Sequence, residues 1–320
     1  MRLLLLGGPR FLGRAIADTA LAAGHELTFF NRGQTSPELY PEVEKLHGDR
    51  AGALEILSGR EWDAVIDTSG YLPDVVRSSA EALARSDRYC LVSSISVYAD
   101  FSIPVDEDSP RAPLGDHPST EVTTESYGPL KALCEEAVRD TFGERALVVR
   151  PGLIVGPRDP TGRFTYWPHR FAHGGEVLAP APPERQTQFV DVRDLADWIV
   201  DLCEHGVGGT FNATHPGVTW LELLETCRTI AGTDSTITWV PDEYLLEHEV
   251  GEWMELPLWI ADPAMAGADQ VDVRRALAEG LRFRPLADTV RGALEAASTT
   301  DAAGLTPERE AELLAAWHVR

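Results

Sequence analysis

The chain opens with a strand that runs directly into a glycine turn: Leu3-Leu4-Leu5-Leu6, then Gly7-Gly8-Pro9-Arg10-Phe11-Leu12-Gly13. A short, uninterrupted apolar run suits a strand covered on both faces. Residues 11–23 then show helical periodicity through Phe11, Ala15, Ile16 and Ala22. A doubly covered strand followed by a crossover helix is the opening of a parallel sheet, because parallel neighbours need a crossover connection. Gly7 allows a tight turn and Gly13 allows close packing of helix on strand. The backbone N–H groups at the helix start, from Gly8 and Arg10 through Phe11 and Leu12, can then hold a pyrophosphate. A purely structural strand-to-helix turn would show the same glycine spacing; what favours phosphate is the position directly after the first strand.

The alternation continues. Strands are expected at 27–30, in a third strand that ends at Leu46-His47, and at 64–66, 89–92 and 146–149. Helices are expected at 75–84 and 126–142, and around Leu195, Trp198, Ile199 and Leu202, which share one helical face. The fold class is therefore α/β: a doubly wound, mostly parallel Rossmann sheet with a smaller α+β substrate lobe. Composition shifts after Arg150, where 151–185 are rich in Pro, Gly, Arg and aromatics, and 235–265 hold Trp239, Trp253 and Trp259. The expected division is 1–150 plus 186–213 as the dinucleotide-binding core, 151–185 plus 214–300 as the substrate-binding lobe, and 301–320 as a helical tail. Thr306 and Pro307 supply that tail's helix start.

Charge narrows the function classes. Lys and Arg total 28 against 51 Asp and Glu, a net charge of −23. Such a surface repels phosphate backbones and anionic lipid, so neither nucleic acid nor membrane is an expected partner. Cys90, Cys134, Cys203 and Cys227 have no paired spacing, so neither zinc nor a disulfide framework is suggested. No metal is expected at His169 and His173, although they lie four apart. The N-terminal apolar run stops at Gly7, too short for a signal peptide, and a cytoplasmic location is expected.

Catalytic chemistry is concentrated in Tyr127-Gly128-Pro129-Leu130-Lys131. On a helix, i and i+4 share a face, so a phenol and an ammonium can enter the same cleft. Free tyrosine has a pKa of about 10, and a nearby cation favours the phenolate, moving the group toward acid/base duty. Pro129 is placed in the first helical turn, where proline is tolerated. A packing tyrosine beside a surface lysine is the competing reading.

Together with the strand-end serines of Leu91-Val92-Ser93-Ser94-Ile95-Ser96-Val97-Tyr98, these motifs resemble the extended short-chain dehydrogenase/reductases. The resemblance makes Ser94, Tyr127 and Lys131 the catalytic residues: Ser94 binds the substrate oxygen, Tyr127 passes the proton and Lys131 holds the nicotinamide ribose. The family's Gly-x-x-Gly-x-x-Gly is matched at Gly7 and Gly13, with Arg10 in the middle slot. That variant resembles atypical members, the chloroplast stem-loop-binding type among them. A guanidinium there can meet a phosphate in bidentate fashion. NAD users place a carboxylate after the second strand; this chain has Phe30-Asn31-Arg32-Gly33. Asn31 lacks the charge that would repel a 2′-phosphate and Arg32 adds a positive one, so NADP(H) is expected over NAD(H). Arg32 as a solvated turn residue is the alternative. Asp49 falls where the family contacts the adenine, or it caps the next helix.

The likeness extends through 149–158, 188–196 and 276–294, with two departures. Leu153 and Thr187 stand where sugar-nucleotide epimerases carry an asparagine and an arginine for the diphosphate. Ile95-Ser96 also lacks the acid pair of the sugar-nucleotide 4,6-dehydratases, so a dehydratase is not expected. Residues 163–170 (Arg163, Phe164, Tyr166, Trp167, His169, Arg170) either line a substrate pocket or form an aromatic-pinned surface loop. Asp191 and Asp194 are expected to cap the helix running to Leu202. The expected function is an NADP(H)-dependent reductase, dehydrogenase or epimerase acting on a secondary alcohol or ketone of a small, sugar-like molecule. The alternative is a dinucleotide sensor or an RNA-binding protein of the atypical type. Dimerisation through 75–84 and 126–142 follows from the resemblance alone.

Overall fold

The computed structural model describes residues 1–295 and 303–320; the expected lobe-to-tail boundary at 300/301 lies outside the described residues. The first half of the chain alternates as the apolar pattern requires: β1 Arg2–Leu6, α1 Leu12–Ala22, β2 Glu26–Asn31, β3 Glu44–His47, β4 Ala64–Asp67, α2 Pro73–Ala82, β5 Tyr89–Val92, α3 Thr124–Phe142 and β6 Ala146–Pro151. There follow β7 Leu153–Val155, α4 Tyr166–Ala172, β8 Glu176–Pro180, β9 Gln186–Thr187, β10 Phe189–Asp191, α5 Val192–Glu204 and β11 Gly209–Ala213. Beyond these lie β12 Val218–Thr219, α6 Trp220–Ala231, β13 Thr236–Val240, α7 Asp242–Glu247, β14 Glu252–Trp253, β15 Leu256–Pro257, α8 Arg274–Ala278, α9 Leu286–Glu295 and α10 Pro307–His318.

Seven strands form one sheet in the order β11-β6-β5-β4-β1-β2-β3, with every pairing parallel. This is the expected doubly wound sheet. Its order reverses between β1 and β4, where the carboxyl ends of the strands open a crevice. The leucines of β1 divide between its two faces. Leu3 and Leu5 pack with Ile16 of α1 and Leu195 and Ile199 of α5; Leu4 and Leu6 pack with Val76 of α2 and Cys134 and Val138 of α3.

A second buried cluster gathers Phe164, Trp167 and Phe171 with Val177 and Leu178 of β8 and Leu223 and Leu224 of α6. Leu313 and Leu314 of α10 belong to the same cluster. Glu310 ties the helix down, accepting from Arg170 Nε at 2.5 Å and from Leu178 N at 3.0 Å. Thr306 caps α10, accepting from Arg309 N at 3.2 Å. The four cysteines are buried and unbridged. Among the described residues, no helix is long and apolar enough to cross a membrane.

Candidate active site

The glycine turn enters α1 under tension. Gly7 N donates to Phe30 O at 3.1 Å, Arg10 N to Gly8 O at 2.8 Å and Gly13 N to Arg10 O at 3.0 Å. A Cβ on Gly13 would lie 2.4 Å from Gly8 O, so only glycine lets the helix begin this close to the turn. Phe11, just ahead of α1, has φ +42°, an uncommon conformation for a residue of its kind, and α1 has no side-chain cap. Gly13 N and Arg14 N donate to the turn's own carbonyls, which leaves the N–H groups of Phe11 and Leu12 for a ligand. Gly7, Gly8, Arg10, Phe11, Leu12 and Gly13 all line one cleft of about 1540 Å³. An uncapped helix start beside an arginine fits a dinucleotide pyrophosphate.

The other wall of that cleft carries the catalytic candidates. Thr123 and Ser126 close a capping box, with Ser126 N donating to Thr123 Oγ1 at 3.2 Å and Thr123 N to Ser126 Oγ at 2.8 Å. This starts α3 two residues before the expected 126, so Pro129 sits inside the helix rather than in its first turn. The misplacement has a local cause: the cap is an unremarkable Thr-Thr-Glu-Ser run, and proline reads as a boundary when the cap is missed. Gly128 is more consequential. A Cβ there would lie 1.9 Å from Ser96 O, so α3 rests directly on the turn after β5. That contact brings Tyr127 to Ser94, whose Oγ accepts from Ser96 N at 3.1 Å.

Lys131 is buried (2% exposed) and donates to Gly70 O at 2.8 Å and Val92 O at 2.6 Å, bridging the ends of β4 and β5. Its ammonium also lies 5.2 Å from the centre of the Tyr71 ring, whose own centroid is 6.4 Å from that of Tyr127. Burial pushes the lysine down from its ordinary value. Burial, with Tyr71 beside it, pushes the Tyr127 phenol up, and the hydrogen bond with Ser94 pulls it back. The phenol thus stands above its ordinary value, whereas a lowering by the ammonium was expected.

The remaining cofactor candidates stand off the cleft. Asn31 donates from Nδ2 to Gly7 O at 3.1 Å and accepts from Gly33 N at 2.8 Å, so it fixes the entrance of the glycine turn. Arg32 is exposed. Asp49, also exposed, accepts from Ala51 N at 2.9 Å, as a turn cap does. Asp191 caps α5 through Arg193 N at 2.9 Å, whereas Asp194 holds Arg284, whose Nε donates to it at 2.7 Å.

Two buried ion networks escaped the sequence reading. Arg50 grips Asp67 with two bonds of 2.7 Å, and the Tyr89 hydroxyl donates to the same carboxylate at 2.8 Å. Burial would raise Asp67, but Arg50 wins and holds it below the usual carboxylate range. One turn beyond Lys131, Glu135 receives Arg150 Nε at 2.8 Å, Arg150 Nη2 at 2.7 Å and Ser93 Oγ at 2.7 Å. Arg150 Nη1 reaches the Tyr98 hydroxyl at 3.0 Å, which donates to Asn212 at 2.6 Å. Only the i+4 step from Lys131 to Glu135 hinted at this in the sequence. At the far end the cleft is lined by Leu153, Arg163, Trp253 and Asp269. The Arg163 guanidinium lies over the Trp253 ring at 4.9 Å, so from the 163–170 segment at least Arg163 faces the cleft.

A doubly wound sheet, a glycine turn open to phosphate and a Ser, Tyr and Lys set on one cleft accord with the resemblance to the extended short-chain dehydrogenase/reductases. Residues 72–214 match the model of the NAD dependent epimerase/dehydratase family. Over 211 residues the chain is 26% identical to the chloroplast stem-loop binding protein of 41 kDa b of Arabidopsis thaliana, covering 61% of this chain and 53% of that protein. The match thus spans about half of the chloroplast protein's length. Over 316 residues it is 24% identical to a dTDP-6-deoxy-L-talose 4-dehydrogenase (NAD(P)(+)) of Kitasatospora kifunensis, covering 87% of this chain and 94% of that one. The crystal structure of human epimerase family protein SDR39U1 with NADPH superposes with a TM-score of 0.63 at 21% identity, covering 92% and 98% of the two chains.

Proposed function

We propose that the protein is an NADP(H)-dependent reductase, dehydrogenase or epimerase acting on a secondary alcohol or ketone of a small, sugar-like molecule, with Tyr127 as its acid/base. The observation that carries this reading is that Ser94, Tyr127 and Lys131 share a cleft with the uncapped start of α1. The nicotinamide supplies hydride exchange at the carbinol carbon. The chain's own part is to orient and to move one proton. The Ser94 hydroxyl holds the substrate oxygen, and Tyr127 Oη gives its proton to that oxygen in reduction or takes it in oxidation. Lys131, locked by two carbonyls, has a third N–H for the ribose. In an epimerase the same proton would leave and return.

NADP(H) is favoured because β2 ends in Asn31 and not in a carboxylate, and because Arg32 and Arg10 bring positive charge to that side. Structural neighbours are named with NADPH and with NAD alike, so the choice rests on these residues. The test is to measure NADPH and NADH binding separately by fluorescence, then to screen ketones with the tighter cofactor. Tyr127→Phe is expected to lower kcat by at least about a hundredfold while shifting cofactor Kd less than about threefold. Equal turnover by the two proteins removes the assigned role.

A further inference from the structure

At the substrate end of the cleft, one wall is formed by Gln188 and by the segment carrying Met265, Ala268 and Asp269. The polar groups of this wall are spent on one another. Gln188 Nε2 donates to Pro216 O at 3.3 Å and Val271 O at 3.2 Å, and its Oε1 accepts from Val271 N at 2.9 Å. Gln188 N at 2.9 Å and the Thr187 hydroxyl at 3.3 Å both donate to Asp269 Oδ1. Among the described residues, Asp269 Oδ2 accepts no hydrogen bond, and no cation forms an ion pair with this carboxylate. Arg185, the one cation that acts on it through space, is committed to Asp242 at 2.6 Å and Ala181 O at 2.7 Å. Leu153, Ile260, Met265 and Trp253 line the cleft at this end, together with Arg163, whose guanidinium lies over the Trp253 ring and forms no ion pair with Asp269 among the described residues. Burial pushes the Asp269 carboxyl up to about 6, so it is mainly ionised at neutral pH while lacking a counter-charge.

A half-buried carboxylate with an unused oxygen calls for a hydrogen-bond donor and repels anions. We propose that Asp269 selects the substrate: its Oδ2 accepts a hydrogen bond from a hydroxyl or ammonium group of a small polyol or amino-polyol, and it excludes molecules that carry a diphosphate at this end of the cleft. The inference rests on the reading of this cleft as the substrate site, and it makes the substrate a free, uncharged or cationic molecule in place of a nucleotide sugar.

The test is calorimetric titration of UDP and, separately, of glucosamine into the NADPH-loaded protein, wild type against Asp269→Asn. The amide keeps the acceptor that Gln188 N and Thr187 use, so the fold is retained, and a cooperative thermal transition no lower than the wild type's checks it. UDP is expected to bind at least about tenfold more tightly to the variant, and glucosamine at least about tenfold more weakly. Equal UDP affinity in the two proteins, equal glucosamine affinity, or no binding of either probe overturns the proposal. Tyr127→Phe, titrated in parallel, separates the two readings. If its turnover matches the wild type while the Asp269 shifts appear, the redox role fails and the selection role stands.

Discussion

At the residue scale, the gathering of Ser94, Tyr127 and Lys131 on one cleft was legible because the pattern is a rare combination: a phenol and an amine at i and i+4, with a hydroxyl at a strand end 33 residues earlier. How the charges settle was not legible, since that depends on carbonyls and rings from other elements. Lys131 answers to Gly70 and Val92, and Tyr71 enters between lysine and tyrosine, with no signal in the local sequence. Asp269 was likewise unreadable, lying 81 and 82 residues from its two donors. Its pH dependence can be argued from the structure. The folded carboxyl titrates near 6, above its ordinary 3.8, so the native state holds the proton more tightly than the unfolded chain. This contribution to stability is complete below about pH 4 and is lost as pH rises through 6. Asp269→Asn removes that loss. Denaturant unfolding at pH 4.5 and pH 7.5 should show the variant gaining on the wild type at the higher pH, on the order of 1 kcal/mol after allowance for solvent screening. A constant difference at the two pH values would contradict the burial of an unpaired carboxyl.

At the element scale, strand and helix positions followed from the apolar pattern, and β5 fell at the expected 89–92. Boundaries set by hydrogen-bonded caps shifted, as the Thr123 and Ser126 box did to α3. The seating of α3 could not be read, because the meaning of Gly128 lies in its contact with Ser96 O and not in helix propensity. In a helix interior alanine is ordinarily favoured over glycine by up to about 1 kcal/mol. Here the sign should reverse. Gly128→Ala must push α3 off the 95–97 turn, costing about 1–3 kcal/mol and drawing Tyr127 away from Ser94. The expected outcome is a lower unfolding midpoint together with a kcat loss of at least about tenfold, with cofactor affinity changed less because the glycine turn is untouched. A stabilised, fully active alanine variant would show that the helix does not depend on this contact.

Between element and molecule stands the Glu135 and Arg150 network, which joins α3 to β6, to the end of β5 through Ser93 and to β11 through Tyr98 and Asn212. It lies one turn from Lys131, so it braces the catalytic stripe from beneath. Glu135→Gln keeps the shape but leaves the buried Arg150 charge without its counter-ion. Breaking such a pair from one side costs about 3 kcal/mol, read as a shift in the urea midpoint with little change in slope. An unchanged midpoint would mean that water reaches the pair.

At the scale of the whole molecule, one relative is named for binding a stem-loop, and charge bears on whether such binding transfers to this chain. Backbone recognition draws its free energy from counterions released when Lys and Arg neutralise phosphates. This chain has 28 such residues against 51 acids, and many of its arginines are already engaged: Arg50 with Asp67, Arg150 with Glu135, Arg170 with Glu310, Arg284 with Asp194. Part of the positive charge is thus committed to acids of the fold, and the chain keeps a net charge of −23. A fluorescent RNA hairpin titrated by anisotropy should show no saturable binding at 150 mM salt. If the dinucleotide site alone draws RNA, any residual binding should be displaced by NADPH and should depend only weakly on salt, as one or two phosphate contacts require. A steep loss of affinity with rising salt, undiminished by NADPH, would reveal a basic surface inconsistent with this charge distribution and would favour the RNA-binding reading over the enzymatic one.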